Sequence, residues 1–216
     1  MKTSTILLAA LLAATAPLAS ALPATPHADH ATATAATPAA PKLQAAMRSL
    51  WHGHIVATRD YAMAVHVHDQ AKAKTAADAV VADAKQIADA VAGFYGKPAG
   101  ERMLALLAGH WGGVKALTDA AAANDPAGQA KAMDTLNANG AEIARFLAGA
   151  NPNLPEPTLL SLLTGHVAHH ATQIRQIMAG DSKGEAATWD AMQKHMDTVA
   201  DALAAGIAKQ FPDQAH

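Results

Sequence analysis

The sequence predicts an all-α fold, a bundle of about six helices built as three repeated antiparallel helical hairpins. Two observations support this prediction. The 216-residue chain is rich in alanine and poor in β-branched residues, which favours helix throughout. The phrase Leu-Leu-x-Gly-His occurs at 106–110 and 56 residues later at 162–166, and a looser version lies 56 residues earlier at 50–54. Self-similarity at a fixed period is typical of packed helical hairpins.

The N-terminal residues predict export. Lys2 supplies a positive start, residues 6–16 form an apolar core, and small residues at 19–21 form a cleavage site, so residues 1–21 are predicted to be a signal peptide. Residues 22–41 consist mainly of Ala, Thr and Pro and predict a flexible tether. Residues 42–212 then form a single helical-bundle domain without a membrane span. We expect an exported, soluble protein, periplasmic if the source is Gram-negative.

The first hairpin follows from helical spacing. Its first helix is predicted from Lys42 to about Gln70, because one face carries polar and apolar residues at steps of three and four: His54, Thr58, Tyr61, Val65 and His68. Thr75, with Asp78 three residues later, resembles a capping box at the start of the second helix. This helix is predicted to end at Phe94, before a turn that contains glycine and proline.

The second and third hairpins are marked by their turns. The third helix covers about 101–123, and the turn at 124–126 begins the fourth helix with a proline near its first position. The proline-rich segment 151–157 ends the fourth helix. The glycine-containing turn at 180–184 separates the fifth helix from the sixth, and Phe211-Pro212 closes the fold.

Each repeated histidine has a polar counterpart on the second helix of its own hairpin. The pairs are His54 with Asp83, His110 with Asn139, and His166 with His195. The midpoint of the second and third pairs falls at the predicted turn, and that of the first pair falls where the first helix should end, so the two residues of each pair should lie at the same height in an antiparallel hairpin. All six residues lie on apolar stripes, which should face the inside of the bundle. If the hairpins pack around a pseudo-threefold axis, these residues form one polar layer.

Such a layer allows two interpretations, because burying polar groups costs a few kcal/mol each unless they find partners. The first is a transition-metal site for Zn, Cu, Ni or Fe, since several neutral imidazoles suit these ions. Its predicted ligands are His54, His110, His166 and His195, with His170 as an additional ligand one turn beyond His166. Asp83 and Asn139 would orient the ligand histidines from outside the shell of ligands. The second interpretation is a closed hydrogen-bond network that sets helix register.

Composition and motifs narrow the function. The chain has no cysteine, which excludes disulfides and thiolate metal sites, and its net charge of -2 argues against nucleic-acid binding. It lacks Glu-x-x-His, His-Glu-x-x-His and Gly-x-Ser-x-Gly motifs, which favours a non-catalytic role without deciding it. The favoured hypothesis is metal binding or homeostasis, or a metal-dependent reaction that the sequence does not specify. The alternatives are a structural or interaction module and a small-molecule-binding bundle or hydrolase. No protein partner is indicated.

Three stretches and the C-terminal Gln-Phe-Pro at 210–212 resemble a poorly characterised family of small bacterial helical proteins. The stretches are Leu-Trp-x-x-His-x-x-x-Thr-Arg at 50–59, Phe-Tyr-Gly-x-x-Ala-Gly at 94–100 and Ala-Asn-Pro-Asn at 150–153. The resemblance covers roughly residues 48–212 and implies an all-helical fold, with no catalytic residues carried over. The family pattern also includes the histidines at 54, 110, 166 and 195 and the polar residues at 83 and 139. An analogy to DinB-like bundles, which hold a metal with three histidines, is one of fold only.

Overall fold

The structure is a computed structural model that describes residues 40–215. These residues form six α-helices and no strand, which confirms the predicted all-α class. The helices are α1 (Pro41–His66), α2 (Gln70–Tyr95), α3 (Lys97–Ala122), α4 (Pro126–Ala150), α5 (Glu156–Met178) and α6 (Ser182–Gln210). The predicted signal peptide and nearly all of the predicted tether lie outside the described residues. Among the described helices, none is long and apolar enough to cross a membrane.

The six helices form a closed ring in which alternate helices lie inside. Each helix packs against the next one along the chain, and α6 packs against α1. The helices α1, α3 and α5 also contact one another, so they surround the bundle axis, while α2, α4 and α6 pack outside them. Each hairpin therefore contributes one inner and one outer helix. The repeated phrase that ends in histidine falls on the inner helix of every hairpin.

A partly buried ion pair joins α6 to α1 where the ring closes. Arg59 donates from Nε to Oε1 of Glu185 at 2.6 Å and from a terminal nitrogen to Oε2 at 2.9 Å. Gln173 of α5 also donates to Glu185, at 2.9 Å. Glu185 is only 5% exposed, and the Arg59 guanidinium holds the pKa of this carboxyl below its ordinary value. The pair therefore ties α1, α5 and α6 together on one side of the bundle.

The turn between α1 and α2 is tighter than predicted. The helix α1 ends four residues before the predicted Gln70, and α2 begins at Gln70 instead of near Thr75. Asp69 is the N-cap, because its side chain accepts a hydrogen bond from the backbone N–H of Lys72 at 3.0 Å. Thr75 lies inside α2, where its hydroxyl donates to the carbonyl of the preceding turn. The predicted capping box is therefore wrong, because α2 begins before Thr75 and Asp69 accepts the hydrogen bond from its first turn.

The turn between α2 and α3 is also shorter than the predicted one at 96–100. Gly96 alone reverses the chain, with a φ of +84° that favours glycine. The helix α3 then begins at Lys97, with Pro98 in its first turn, where the missing N–H of proline has no helical partner to lose. Consequently α3 starts four residues earlier than predicted. The height of His110 in the hairpin does not change, because it was predicted from the turn at the other end of α3.

Two apolar clusters lie above and below the layer of repeated histidines. One cluster includes Trp51 and Leu107 on the inner helices, and the other includes Val114 and Ile174. Along α3, His110 falls between the two clusters, and the histidines of α1 and α5 occupy the corresponding stretch of their helices. The polar layer is therefore enclosed by apolar packing at both ends, and polar groups in it must find partners within the layer.

Candidate metal centre

Four histidines meet at the axis of the bundle: His54 from α1, His110 from α3, and His166 and His170 from α5. Each histidine contributes one ring nitrogen, and these four nitrogens all lie within 4.8 Å of one another. The four residues are 4%, 4%, 3% and 1% exposed, respectively. They converge because α1, α3 and α5 are the three inner helices, and each carries its histidine at the same height.

The spacing of the four rings is close to that of a tetrahedral metal site. With metal–nitrogen bonds of about 2.0–2.1 Å, the ligand atoms of a tetrahedral site lie roughly 3.3–3.4 Å apart. Nε2 of His166 lies 3.1 Å from Nε2 of His170. The ring centroids of residues on different helices lie between 5.5 and 6.1 Å apart. The ring nitrogens of the four histidines lie up to 4.8 Å apart, which is roughly 1–1.5 Å more than the tetrahedral spacing. Small side-chain rotations can remove this difference without a change of fold.

Most of the ring nitrogens in this group have no hydrogen-bond partner. Both nitrogens of His54, both nitrogens of His110 and Nδ1 of His166 are buried and unpaired. The Nε2···Nε2 contact between His166 and His170 is the hydrogen bond within the group. A buried polar atom without a partner costs about 1–3 kcal/mol. The closed hydrogen-bond network that the sequence also allowed is therefore not formed by these residues.

Burial keeps the four imidazoles neutral. It lowers the pKa of His54 to about 3, with a further contribution from repulsion by His110. It lowers the pKa of His110 to about 4, although the nearby amide of Asn139 raises it slightly. The pKa values of His166 and His170 are driven well below the ordinary value by burial first and by the neighbouring imidazoles second. At neutral pH each ring therefore has one unprotonated nitrogen, whose lone pair can bind a metal.

The outer helices place one polar side chain over each glycine that precedes a repeated histidine. The pairs are Asp83 over Gly53, Asn139 over Gly109, and His195 over Gly165. A Cβ atom at these glycines would lie 2.8 Å from Oδ1 of the aspartate, 3.1 Å from Nδ2 of the asparagine and 2.9 Å from Cε1 of the histidine. The glycine of the repeated phrase therefore makes room for a polar side chain of the neighbouring helix.

The three outer side chains use this position differently. Asn139 donates from Nδ2 to the carbonyl of Leu106 at 3.0 Å, and His195 donates from Nε2 to the carbonyl of Leu162 at 2.8 Å. Asp83 has no N–H to donate, and its Oδ2 lies 4.0 Å from Nδ1 of His54. Burial raises the pKa of Asp83 to about 6. Oδ2 of Asp83 and Oδ1 of Asn139 are both buried without a hydrogen-bond partner.

The structure changes the composition of the group that the sequence predicted. His170 was expected as an additional ligand, and it is one of the four converging residues. His195 was expected as a main ligand, and the structure leaves it outside the four. Its ring donates to the carbonyl of Leu162 and lies 5.2 Å from the ring of His169. The height of His195 was predicted from the turn, but its ring on the outer helix hydrogen-bonds the backbone carbonyl of Leu162 instead of reaching the axis.

Three concave features surround the histidine layer. A groove of about 800 Å³ between α1 and α2 is lined by Gly53 and Asp83, and a groove of about 540 Å³ between α5 and α6 is lined by Gly165 and His169. An apolar cavity of about 210 Å³ lies on the other side of Trp51, whose ring centroid is 6.0 Å from that of His54. Sequence reasoning missed both grooves, because their shape depends on how the outer helices pack.

In comparisons with protein families, with curated proteins and with solved structures, no match to this chain is found. The chemistry of the four histidines and of the side chains around them therefore indicates the function.

Proposed function

We propose that this protein binds one transition-metal ion per chain through His54, His110, His166 and His170, in a role of metal binding or homeostasis. The observation that supports the proposal most directly is the convergence of four buried imidazoles whose nitrogens have few hydrogen-bond partners. An ion at their centre would satisfy four lone pairs at once. It would also offset the free-energy cost of burying these nitrogens unpaired.

The donor set indicates which ions fit. Four neutral imidazoles, without a thiolate or a carboxylate among them, suit Zn, Cu, Ni or Fe and exclude Ca and Mg, which prefer oxygen ligands. Four protein ligands fill a tetrahedral coordination shell, as in structural zinc sites, whereas catalytic zinc sites keep one position open. The proposed site therefore holds an ion tightly and does not expose it to a substrate.

The outer polar residues support the same proposal. A histidine that binds a metal usually donates its other ring N–H to a carboxylate or a carbonyl oxygen. Oδ2 of Asp83, 4.0 Å from Nδ1 of His54, is such an acceptor. Oδ1 of Asn139 is a second unpaired acceptor, on the helix that packs beside His110. These oxygens would select the ring tautomers that direct a lone pair towards the axis.

We also propose that residues 1–21 direct export and are then removed, so that the metal is bound outside the cytoplasm. The support is the order of a positive residue, an apolar stretch and a small-residue cleavage site. Intact mass measurement of protein expressed in a Gram-negative host and released from its periplasm tests this proposal. A mass that includes residues 1–21 would contradict it.

The metal content of tag-free protein tests the central proposal, because an affinity tag of histidines would itself bind metal. Protein reconstituted with Zn²⁺ and desalted should retain one ion per chain. A double variant, His110→Gln with His166→Gln, should retain none, whereas His195→Gln should bind as the parent does, since His195 lies outside the four. Circular dichroism establishes that each variant is folded. Equal stoichiometry in the parent and in the double variant would refute the shared site.

A second candidate function, binding of a small apolar molecule, is favoured by the 210 Å³ cavity. Protein interiors are close-packed, so an apolar cavity of this size is space that a small apolar molecule can fill. Nε1 of Trp51, which lines the cavity, is buried without a hydrogen-bond partner. The fitting ligand would be apolar with one hydrogen-bond acceptor. Calorimetric titration with 2-acetylnaphthalene should detect binding in the parent and none in Val91→Phe, which fills the cavity.

A further inference from the structure

We propose that the groove between α1 and α2 is the path by which a divalent metal ion reaches the four histidines, and that the Asp83 carboxylate binds the ion first. This inference rests on the proposed metal-binding function. It concerns the route to the site and adds Asp83 as a transient ligand in front of the permanent ones.

The burial of the site makes a defined path necessary. The four histidines are at most 4% exposed, so an ion in solvent has no direct access to their nitrogens. The two apolar clusters close the bundle above and below them. An ion loses most of its hydration in an apolar core at a prohibitive free-energy cost, which excludes a path along the axis. The ion must therefore pass between two helices at the height of the histidine layer.

Two grooves reach that height, and both lie within a hairpin. The groove between α1 and α2 reaches Gly53, and the groove between α5 and α6 reaches Gly165. Both glycines directly precede a histidine of the centre, so the absence of a side chain brings each groove close to it. What distinguishes the two grooves is the polar side chain that lies over the glycine.

Of these two grooves, only the first has carboxylates among its lining residues. Asp83 lines this groove, and its inner oxygen, Oδ2, has no hydrogen-bond partner and lies 4.0 Å from the His54 ring, so an ion that leaves the carboxylate is beside a residue of the centre. Nε2 of His195, over Gly165, already donates to the carbonyl of Leu162 at 2.8 Å. The second groove has no carboxylate among its lining residues, which include His169, so no negative charge draws a cation into it, whereas Asp83 supplies one in the first groove.

The walls of the first groove also suit a cation. Six of its fifteen lining residues are alanine or glycine, which keeps it open: Gly53, Ala57, Ala64, Ala76, Ala79 and Ala82. Asp60 lies on the α1 wall, two helical turns from the glycine and about 10 Å along the axis. The positive charge of Lys72 is paired with Asp69 at 3.0 Å. The carboxylates therefore dominate the field in the groove and attract cations.

The chain offers a matched pair of positions for the test. Ala79 on α2 and Ala191 on α6 are both exposed, and each lines the groove of its own hairpin. They are separated by twice the 56-residue step. Tryptophan at either position blocks one groove and leaves all four histidines unchanged. Tag-free, metal-free protein is mixed with Co²⁺ in a stopped-flow instrument, and binding is followed by the visible absorption of tetrahedral cobalt.

The expected result is a change in rate without a change in affinity. Ala79→Trp should slow Co²⁺ association by about tenfold or more, and should slow release to a chelator by the same factor, because a blocked path affects both directions equally. The dissociation constant then stays that of the parent, and Ala191→Trp keeps the parental rates. Asp83→Asn, which preserves the shape of the side chain, should also slow association by about tenfold through the lost charge and ligand.

The outcomes separate the path from the site. A parent protein that binds no Co²⁺ would refute both the metal site and the path. A parent that binds one ion per chain, with unchanged rates in Ala79→Trp, would refute the path alone. Slower association in Ala191→Trp but not in Ala79→Trp would assign the path to the groove between α5 and α6, and would likewise overturn the proposal.

Discussion

His166 and His170 place their Nε2 atoms 3.1 Å apart, one turn apart on the same face of α5. The i, i+4 spacing places both side chains on one face of a single helix, so this edge of the candidate metal centre does not depend on packing between helices. The other two ligands come from α1 and α3, and their positions depend on tertiary packing. The pair on α5 is therefore the preorganised half of the site.

The first prediction compares His170 with His195. His170→Gln should weaken Zn²⁺ binding by about 100-fold or more, because loss of a direct ligand exceeds the 10–100-fold effect of an outer partner. His195→Gln should leave the affinity close to that of the parent, since its amide can still donate to the carbonyl of Leu162. Competition with a chromophoric chelator at pH 7 measures both affinities. A larger loss in His195→Gln than in His170→Gln would reverse the assignment of the fourth ligand.

The second prediction concerns stability. An ion that binds only the folded chain should stabilise it by about 2.7 kcal/mol at a free concentration 100 times the dissociation constant. For a domain of this size, that corresponds to a rise in Tm of roughly 5–10 °C. Thermal unfolding followed by circular dichroism, with and without Zn²⁺, measures the shift. The double variant His110→Gln with His166→Gln should show none, and a shift equal to that of the parent would indicate binding elsewhere.

The third prediction concerns pH. The pKa values of His54 and His110, about 3 and about 4 in the fold, lie below the ordinary value of 6.5. As pH falls below about 6.5, the unfolded chain takes up protons that the folded chain refuses, so stability is lost towards about pH 4. Asp83 opposes this loss, because its pKa of about 6 in the fold exceeds its ordinary value of 3.8. Several buried histidines outweigh one carboxyl.

The measurement is urea unfolding of metal-free protein at several pH values. The midpoint should fall as the pH is lowered from 7 to 5, and the fall should be smaller in His110→Gln, which removes one titrating group. A midpoint that does not change between pH 7 and pH 5 would show that the imidazoles titrate as exposed groups do.

The fourth prediction uses the glycines of the inner helices. Gly53→Ala should be less stable than Gly112→Ala by about 1 kcal/mol, because the new Cβ would lie 2.8 Å from Oδ1 of Asp83 and displace that side chain. Gly112→Ala is the control, since nothing lies within 4 Å of a Cβ there, and it should stabilise α3 by about 0.5–1 kcal/mol through helix propensity. Chemical denaturation compares the two variants. Equal effects would show that Asp83 does not pack against Gly53.

Several features of this fold followed from local sequence alone. The turns at glycine and proline predicted six helices, with errors of a few residues where Asp69 and Gly96 make shorter turns than expected. Equal distance from a turn predicted the heights of His110 and Asn139, since the rise per residue of a helix is constant. The i, i+4 spacing identified His170 as a neighbour of His166. These are short-range properties, which is why they could be read without coordinates.

The choice among the histidines came from packing. All six members of the predicted polar layer lie on helix faces with apolar neighbours, and hydrophobic periodicity does not tell an inner helix from an outer one. Closure of the ring by α6 against α1 places α1, α3 and α5 at the axis, so His54 and His110 reach the centre. His195 lies at the height of the histidine layer but on an outer helix, where its ring hydrogen-bonds the backbone carbonyl of Leu162. Local sequence therefore determined the elements and their levels, and long-range contacts between hairpins decided which imidazoles meet.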